Sequence, residues 1–271
     1  MEKVTSIEQL QQCITSVRNY RKGFITNFFP DPFRHSLWIE KEELSFGEMG
    51  ESLFLLRENS FFYSLFYVST TLEALKSDLA FFLVKHQGDI LVVDVVGNQD
   101  NVAARQVFLD LGFQQYASLT RMSRINNSPE TVYEKNPRIV NGDVADARIV
   151  YELLNQYFDP LAEQLPLLEE LEDFAKKGQL IVYKENGEIG GFIIYELQGK
   201  TSYLRYWLVH PEFRGKRIGS ALFTELLSRS ADARRLILWV MDTNHNAVNM
   251  YQHFGAEFEM MFNYVLIKRA I

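Results

Sequence analysis

Apolar residues recur at spacings of three and four through Ile7, Leu10, Ile14 and Val17, with Ser6 ahead of them as an N-cap, so the pattern predicts a helix from Ser6 to Val17. The stretch Arg21 to Phe46 is rich in aromatics but broken by Pro30 and Pro32, and it reads as irregular helix and loop. Runs at Ser52–Arg57 and Phe61–Val68 predict strands, and Leu72–Lys85 predicts a helix. The apolar run Ile90–Val96, interrupted by Asp94, predicts a parallel strand buried on both faces. A turn at Gly97-Asn98-Gln99-Asp100, a helix Val102–Leu111 stopped by Gly112 and a strand Tyr116–Ser123 follow.

The polar, turn-rich segment 126–137 then reads as a linker, after which the order of elements starts again. Helices are predicted at Val144–Tyr157 and Leu165–Lys177, and strands at Leu180–Lys184, Ile189–Leu197 and Ser202–Val209, the first two joined by an Asn186-Gly187 hairpin turn. A helix Ser220–Ser230, a buried strand Leu236–Met241, a helix Ala247–His253 and a strand Phe258–Ile267 complete the chain. Asn101, Ala104, Phe108 and Gly112 reappear as Asn244, Ala247, Tyr251 and Gly255, each pair 143 positions apart. Two copies of one α/β unit account for this most simply, with domains expected at 1–125 and 138–271.

One stretch differs between the copies. Val209-His-Pro-Glu-Phe-Arg-Gly-Lys-Arg-Ile-Gly-Ser-Ala-Leu222 joins a strand to a helix and carries glycines and cations, which suits an anion: the first amides of a helix lack partners, and the dipole is positive there. The matching turn, Ser69 to Ala74, has no glycine, arginine or lysine, so the first half is expected not to hold the same ligand. A net charge of -7 and a pI near 5.4 argue against a nucleic-acid partner. The single cysteine, Cys13, offers neither an internal disulfide nor a metal site, and no metal is expected. No run approaches a membrane span and no signal-peptide core opens the chain, which points to a soluble cytoplasmic protein.

The second half, from about Arg138 to Ile271, resembles the GNAT family of N-acetyltransferases. Its loop Arg214-Gly215-Lys216-Arg217-Ile218-Gly219, after Val209-His210-Pro211, is similar to the family's cofactor loop, with Arg217 where the pattern has glycine. Asn244, Ala247, Tyr251 and Gly255 are similar to its later motif. The resemblance implies an α/β mixed-sheet fold, tandem in this chain, with a degenerate first copy. It implies acetyl-coenzyme A as cofactor and transfer of an acetyl group to a primary amine, on a small molecule or a peptide N-terminus. Backbone groups of Leu208 and Val209 would meet the pantetheine, and amides from Gly215 through Ser220 the pyrophosphate, with Arg214, Lys216 and Arg217 adding charge. Val209 N–H would stabilise the oxyanion, and Tyr251 would protonate the departing thiolate or serve as a core aromatic. Asn244 and Asn246 are candidates for the pantetheine, Asn244 equally for a helix cap.

For the base, Glu196, Asp242 and a water relay stand level, and Arg205 is a candidate partner for an acceptor carboxylate. The acidic residues Glu163, Glu169, Glu170, Glu172 and Asp173 read as a solvated helix face, in a region that borders the acceptor groove in the resembling family. A non-catalytic acyl-coenzyme A sensor and an aminoacyl or amino-acid transferase built from paired copies are the rival functions.

Overall fold

The computed structural model describes residues 1–18, 23–98, 102–126 and 136–269. The chain divides into two units, Met1–Leu119 with Met261–Ile271, and Thr120–Met260. Elements follow in the order β1 (Glu2–Lys3), α1 (Ile7–Arg18), β2 (Ile25–Thr26), α2 (Pro32–Glu40), β3 (Leu44–Met49), β4 (Ser52–Glu58), β5 (Tyr63–Ser69), α3 (Leu72–Val84), β6 (Leu91–Gly97), α4 (Val102–Asp110) and β7 (Gln114–Ile125). After them come β8 (Ile139–Asn141), α5 (Val144–Tyr157), α6 (Leu168–Lys176), β9 (Leu180–Glu185), β10 (Glu188–Gln198), β11 (Thr201–Val209), α7 (Ile218–Arg229), β12 (Arg235–Met241), α8 (His245–His253) and β13 (Glu257–Lys268). No described helix is long and apolar enough to cross a membrane.

The first unit's sheet runs β1-β3-β4-β5-β6-β13. Its sixth strand comes from the chain's end: Phe262 to Lys268 pair antiparallel with Gly97 to Leu91, and Leu266 sits in the core with Phe54, Phe82 and Phe108. The expected contiguous split at 1–125 and 138–271 assigns this strand to the second half, and the strand pairing assigns it to the first unit. Of the expected linker, 127–135 lie outside the described residues, as do Asn101 of the repeat and Gln99-Asp100 of the turn before it. The segment expected to be irregular holds β2, α2 and the start of β3 instead. There Asp31 accepts from Arg34 N–H and Pro32 occupies the first turn, where its missing N–H costs nothing.

β5 and β6 run parallel, but only Tyr63↔Leu91 and Ser64↔Val92 pair before the strands part. The gap is filled by the unit's own chain. β2 pairs with β5 at Ile25↔Ser69 and Thr26↔Val68. Asn27 Nδ2 donates to Leu65 O at 3.2 Å and to Asp94 O at 3.1 Å, while its Oδ1 accepts from Tyr67 N–H at 2.8 Å. One amide side chain thus bridges the parting strands. At the adjoining helix, Thr71 caps α3 by accepting from Ala74 N–H at 3.1 Å.

The second unit's sheet runs β7-β12-β11-β10-β9-β8. Its two faces bury Phe223, Leu226 and Tyr251 under α7 and α8, and Val150, Leu154 and Leu171 under α5 and α6. Asn186 and Gly187 both take positive φ, 54° and 85°, in the β9–β10 turn, as the hairpin reading requires.

Candidate functional site

β11 organises the second unit's cleft. It pairs in parallel with β12 from Thr201↔Arg235 to Leu204↔Leu238, and the register ends there. At the same point its pairing with β10 slips: Tyr195 faces Leu204 and Ile194 faces Tyr206, so Arg205 is an extra residue, a β-bulge. The bulge inverts the side-chain alternation. Leu204 packs into the core under α7 and α8; beyond the bulge Trp207 and Val209 join that face, while Tyr206 and Leu208 pack toward α5 and α6. Without the extra residue, Trp207 and Val209 would point the other way. The corresponding pairing of β4 with β5 runs from Ser52↔Ser69 to Glu58↔Tyr63 with no slip.

Backbone groups of alternate residues point to opposite edges of a strand. His210 N–H donates to Gly190 O at 3.0 Å, toward β10. The amides of Val209 and Trp207 therefore turn the other way, into the opening beside β12. Leu208 turns toward β10: a Cβ placed on Gly191 would lie 2.8 Å from Leu208 O, a close approach only glycine allows. Of the two residues expected to meet the pantetheine through their backbones, Val209 is turned to the opening and Leu208 is not.

Past a 3-10 turn at Pro211–Phe213, the loop climbs to α7. Gly215 has φ 81° and Arg217, the N-cap of α7, has φ 59°. The arginine in place of the resembling family's glycine thus takes the left-handed backbone that glycine adopts without strain. No side chain caps α7, in contrast to α3, so the amides of Ile218, Gly219 and Ser220 keep the outward orientation of an open helix start. Gly219 lies beneath Trp207; a Cβ there would approach the indole Cζ2 to 3.2 Å. Lys216 is engaged with Glu185 at 3.1 Å, and Arg214 Nε reaches Val209 O at 3.4 Å.

These parts border a cleft of about 600 Å³ lined by Leu208, Val209, Arg214, Asn244, Asn246 and Tyr251 from the expected set, joined by Tyr157, Phe158, Asp159, Glu163, Arg205, Trp207 and Trp239. Gly215 to Ser220 are not among its lining residues; they form the loop and helix start described above. Asn244 is the cap of α8, accepting from Ala247 N–H at 3.1 Å. Tyr251 is 7% exposed and packs on Trp207 with ring centroids 5.5 Å apart. Burial, with a smaller push from the Glu163 carboxylate, raises its phenol above the ordinary tyrosine range. Trp207 Nε1 is buried without a hydrogen-bond partner.

Glu163 is the residue that sequence reasoning misplaced. It stands in the loop between α5 and α6 and not on a helix face, and the prolines at 160 and 166 that bracket it were the available signal. Its backbone and carboxylate are tied to Asp159, whose N–H donates to Glu163 Oε2 at 3.2 Å. Burial pushes its pKa up to about 7, against the lowering effect of that amide. The other acidic residues do lie on or beside α6, where Lys177 pairs with Asp173 at 2.5 Å and Glu170 accepts from Leu167 N–H. Neither expected base lines the cleft: Glu196 accepts from Gln198 at 2.7 Å, and Asp242 accepts from Thr120 Oγ1 at 2.6 Å.

In the second unit a mixed sheet opens beside a helix start that no side chain caps. Residues 147–256 match the model of the acetyltransferase (GNAT) family. A Bacillus subtilis (strain 168) protein named as a putative ribosomal protein bS18-alanine N-acetyltransferase is 30% identical over 79 residues, 28% of this chain and 52% of that protein. The chain therefore spans about half the length of this relative. Among solved structures, a GNAT-family acetyltransferase from Colwellia psychrerythraea covers 98% of both chains with a TM-score of 0.59 at 13% identity. A probable N-acyltransferase from Enterococcus faecalis V583 covers 99% of this chain and 72% of its own, at 0.60 and 12%. A tandem GNAT protein from the clavulanic acid biosynthesis pathway covers 81% and 79%, at 0.58 and 14%. At these identities the likeness is one of fold.

Proposed function

We propose that the second unit transfers an acetyl group from acetyl-coenzyme A to a primary amine, and that the first unit is a copy of the fold without a cofactor site. The observation that carries this reading is the opening of the sheet at the Arg205 bulge, next to a helix start that no side chain caps. Acetyl-coenzyme A is the acyl donor of the GNAT family, and it brings a thioester and a pyrophosphate. The residues fit it: outward amides at Ile218–Ser220, edge amides at Trp207 and Val209, and the orphaned Trp207 Nε1 beside them. A cytoplasmic setting goes with this reading.

Chemically, Glu163 takes a proton from the acceptor's ammonium. Acetyl-coenzyme A would supply the thioester carbon for the freed lone pair, and Trp207 and Val209 N–H would donate to the oxygen on which charge develops. Tyr251 would supply a proton to the departing sulfur and would recover one from the acylated nitrogen. A site that contains both a proton acceptor and a donor supports catalysis over a purely sensing role. The acceptor amine belongs to a small molecule or, as the Bacillus subtilis relative's name suggests, to a peptide N-terminus.

Acetyl-coenzyme A at 100 times its Kd is expected to add about 2.7 kcal/mol to stability in a thermal-shift measurement. Gly219→Val, which pushes a side chain against Trp207, should cancel the shift. An unchanged melting profile of the parent protein at millimolar cofactor would reject the assignment. Because the base must be ionised and burial holds Glu163 near pH 7, kcat/KM should fall as pH drops through about 7. Glu163→Gln should lower the rate by about 10²-fold and remove that limb; a variant that keeps the limb would transfer the base role elsewhere.

A further inference from the structure

Arg205 owes its position to the bulge. An extra residue places it beside Tyr206 on the side of the sheet that packs toward α5 and α6, where Asp159 and Glu163 also line the cleft. Its side chain is exposed, and among the described residues no ion pair or hydrogen bond engages its guanidinium. A guanidinium and two carboxyl groups therefore border one cleft. The pyrophosphate of the cofactor is too far away to be its partner: Val209, where the cofactor loop begins, lies four residues on, roughly 13 Å along a strand.

Resting on the acetyl-transfer reading, we infer that the acceptor is a zwitterion of amino-acid type, a primary amine with a carboxylate a few bonds away, whose carboxylate Arg205 holds while Glu163 meets the ammonium. A guanidinium presents two parallel N–H donors that match a carboxylate, and this selects for a planar anion. The cleft is also lined by the aromatics Phe158, Tyr206 and Trp239, which offer apolar surface for the acceptor's remaining bulk. A peptide N-terminus has an amide where such an acceptor has its carboxylate, so Arg205 separates the two kinds of acceptor left open above.

The test pairs L-amino acids with their carboxamides and with the amines that lack the carboxyl carbon, such as phenylalanine, phenylalaninamide and phenethylamine, and follows release of coenzyme A. The expected result is a kcat/KM at least tenfold higher for the free acid, carried mainly by KM. In Arg205→Met that preference disappears, and in Arg205→Lys part of it returns. Equal or better turnover of amides, or a preference that survives Arg205→Met, overturns the inference while leaving acetyl transfer in place. So does a complete lack of turnover with every amino acid in a protein that still shows the acetyl-coenzyme A thermal shift. A protein without that shift sinks the acetyl-transfer reading and this inference together.

Discussion

Tyr251→Phe is expected to slow acetyl transfer by about 10²-fold or more, with KM for acetyl-coenzyme A and the melting temperature almost unchanged. The substitution keeps the ring that packs on Trp207 and Phe223 and removes one oxygen. What it takes away is a proton. Burial and the neighbouring Glu163 both penalise a phenolate here, so the hydroxyl stays protonated well above neutral pH and is an acid throughout the working range. The same environment makes it reluctant to remain ionised, which favours its prompt recovery of a proton from the new amide nitrogen. A steady-state assay of thiol release with enough acetyl-coenzyme A to saturate the enzyme checks the point; an unchanged kcat would leave Tyr251 as a core aromatic, the role its position in the hydrophobic cluster also permits.

Ending the chain after Met260 should unfold the first unit, although more than a hundred residues separate the cut from the rest of that unit. Val265, Leu266 and Ile267 are 0, 0 and 5% exposed, and burying each such side chain contributes about 1.5–3 kcal/mol. Together they match a large part of the 5–15 kcal/mol that keeps a domain folded. The cut also strips β6 of its antiparallel partner from Gly97 to Leu91 and removes the Lys268 ammonium from the end of α4, where it donates to Leu111 O at 2.9 Å. Amide exchange should show lost protection along Leu91–Gly97. Leu266→Ala, which creates a cavity but leaves the strand paired, should cost about 2–5 kcal/mol and no more. Full protection of β6 in the truncated chain would mean that the unit closes without this strand.

The second unit was legible because its elements are long, periodic and marked by local chemistry. The Asn186-Gly187 turn, the glycine-bearing loop and the spacing from Asn244 to Gly255 each depend on residues near one another in the chain. What the sequence hid depends on pairing. Nothing in Tyr203-Leu204-Arg205-Tyr206-Trp207 announces a bulge, since a slipped register is defined by the strand opposite. The destination of β13 is likewise decided by β6, about 170 positions earlier, which no local pattern reveals. Proline usually breaks a helical pattern, whereas Pro32 after Asp31 is a helix start. Glu163 stands in charged company in the sequence, and its side chain takes its meaning from the cleft it lines.

Asn27 gives the first unit a property that the second lacks. Parting two strands of a sheet leaves main-chain groups in want of partners, and such a defect is stable only when something fills it. In the second unit, under the acetyl-transfer proposal, that something is the exchangeable acetyl-coenzyme A. In the first it is tethered: Asn27 meets Tyr67, Leu65 and Asp94 at an effective concentration set by the chain itself, and Tyr67 N–H has its acceptor whether or not any metabolite is present. The first unit's sheet is therefore completed from within its own chain.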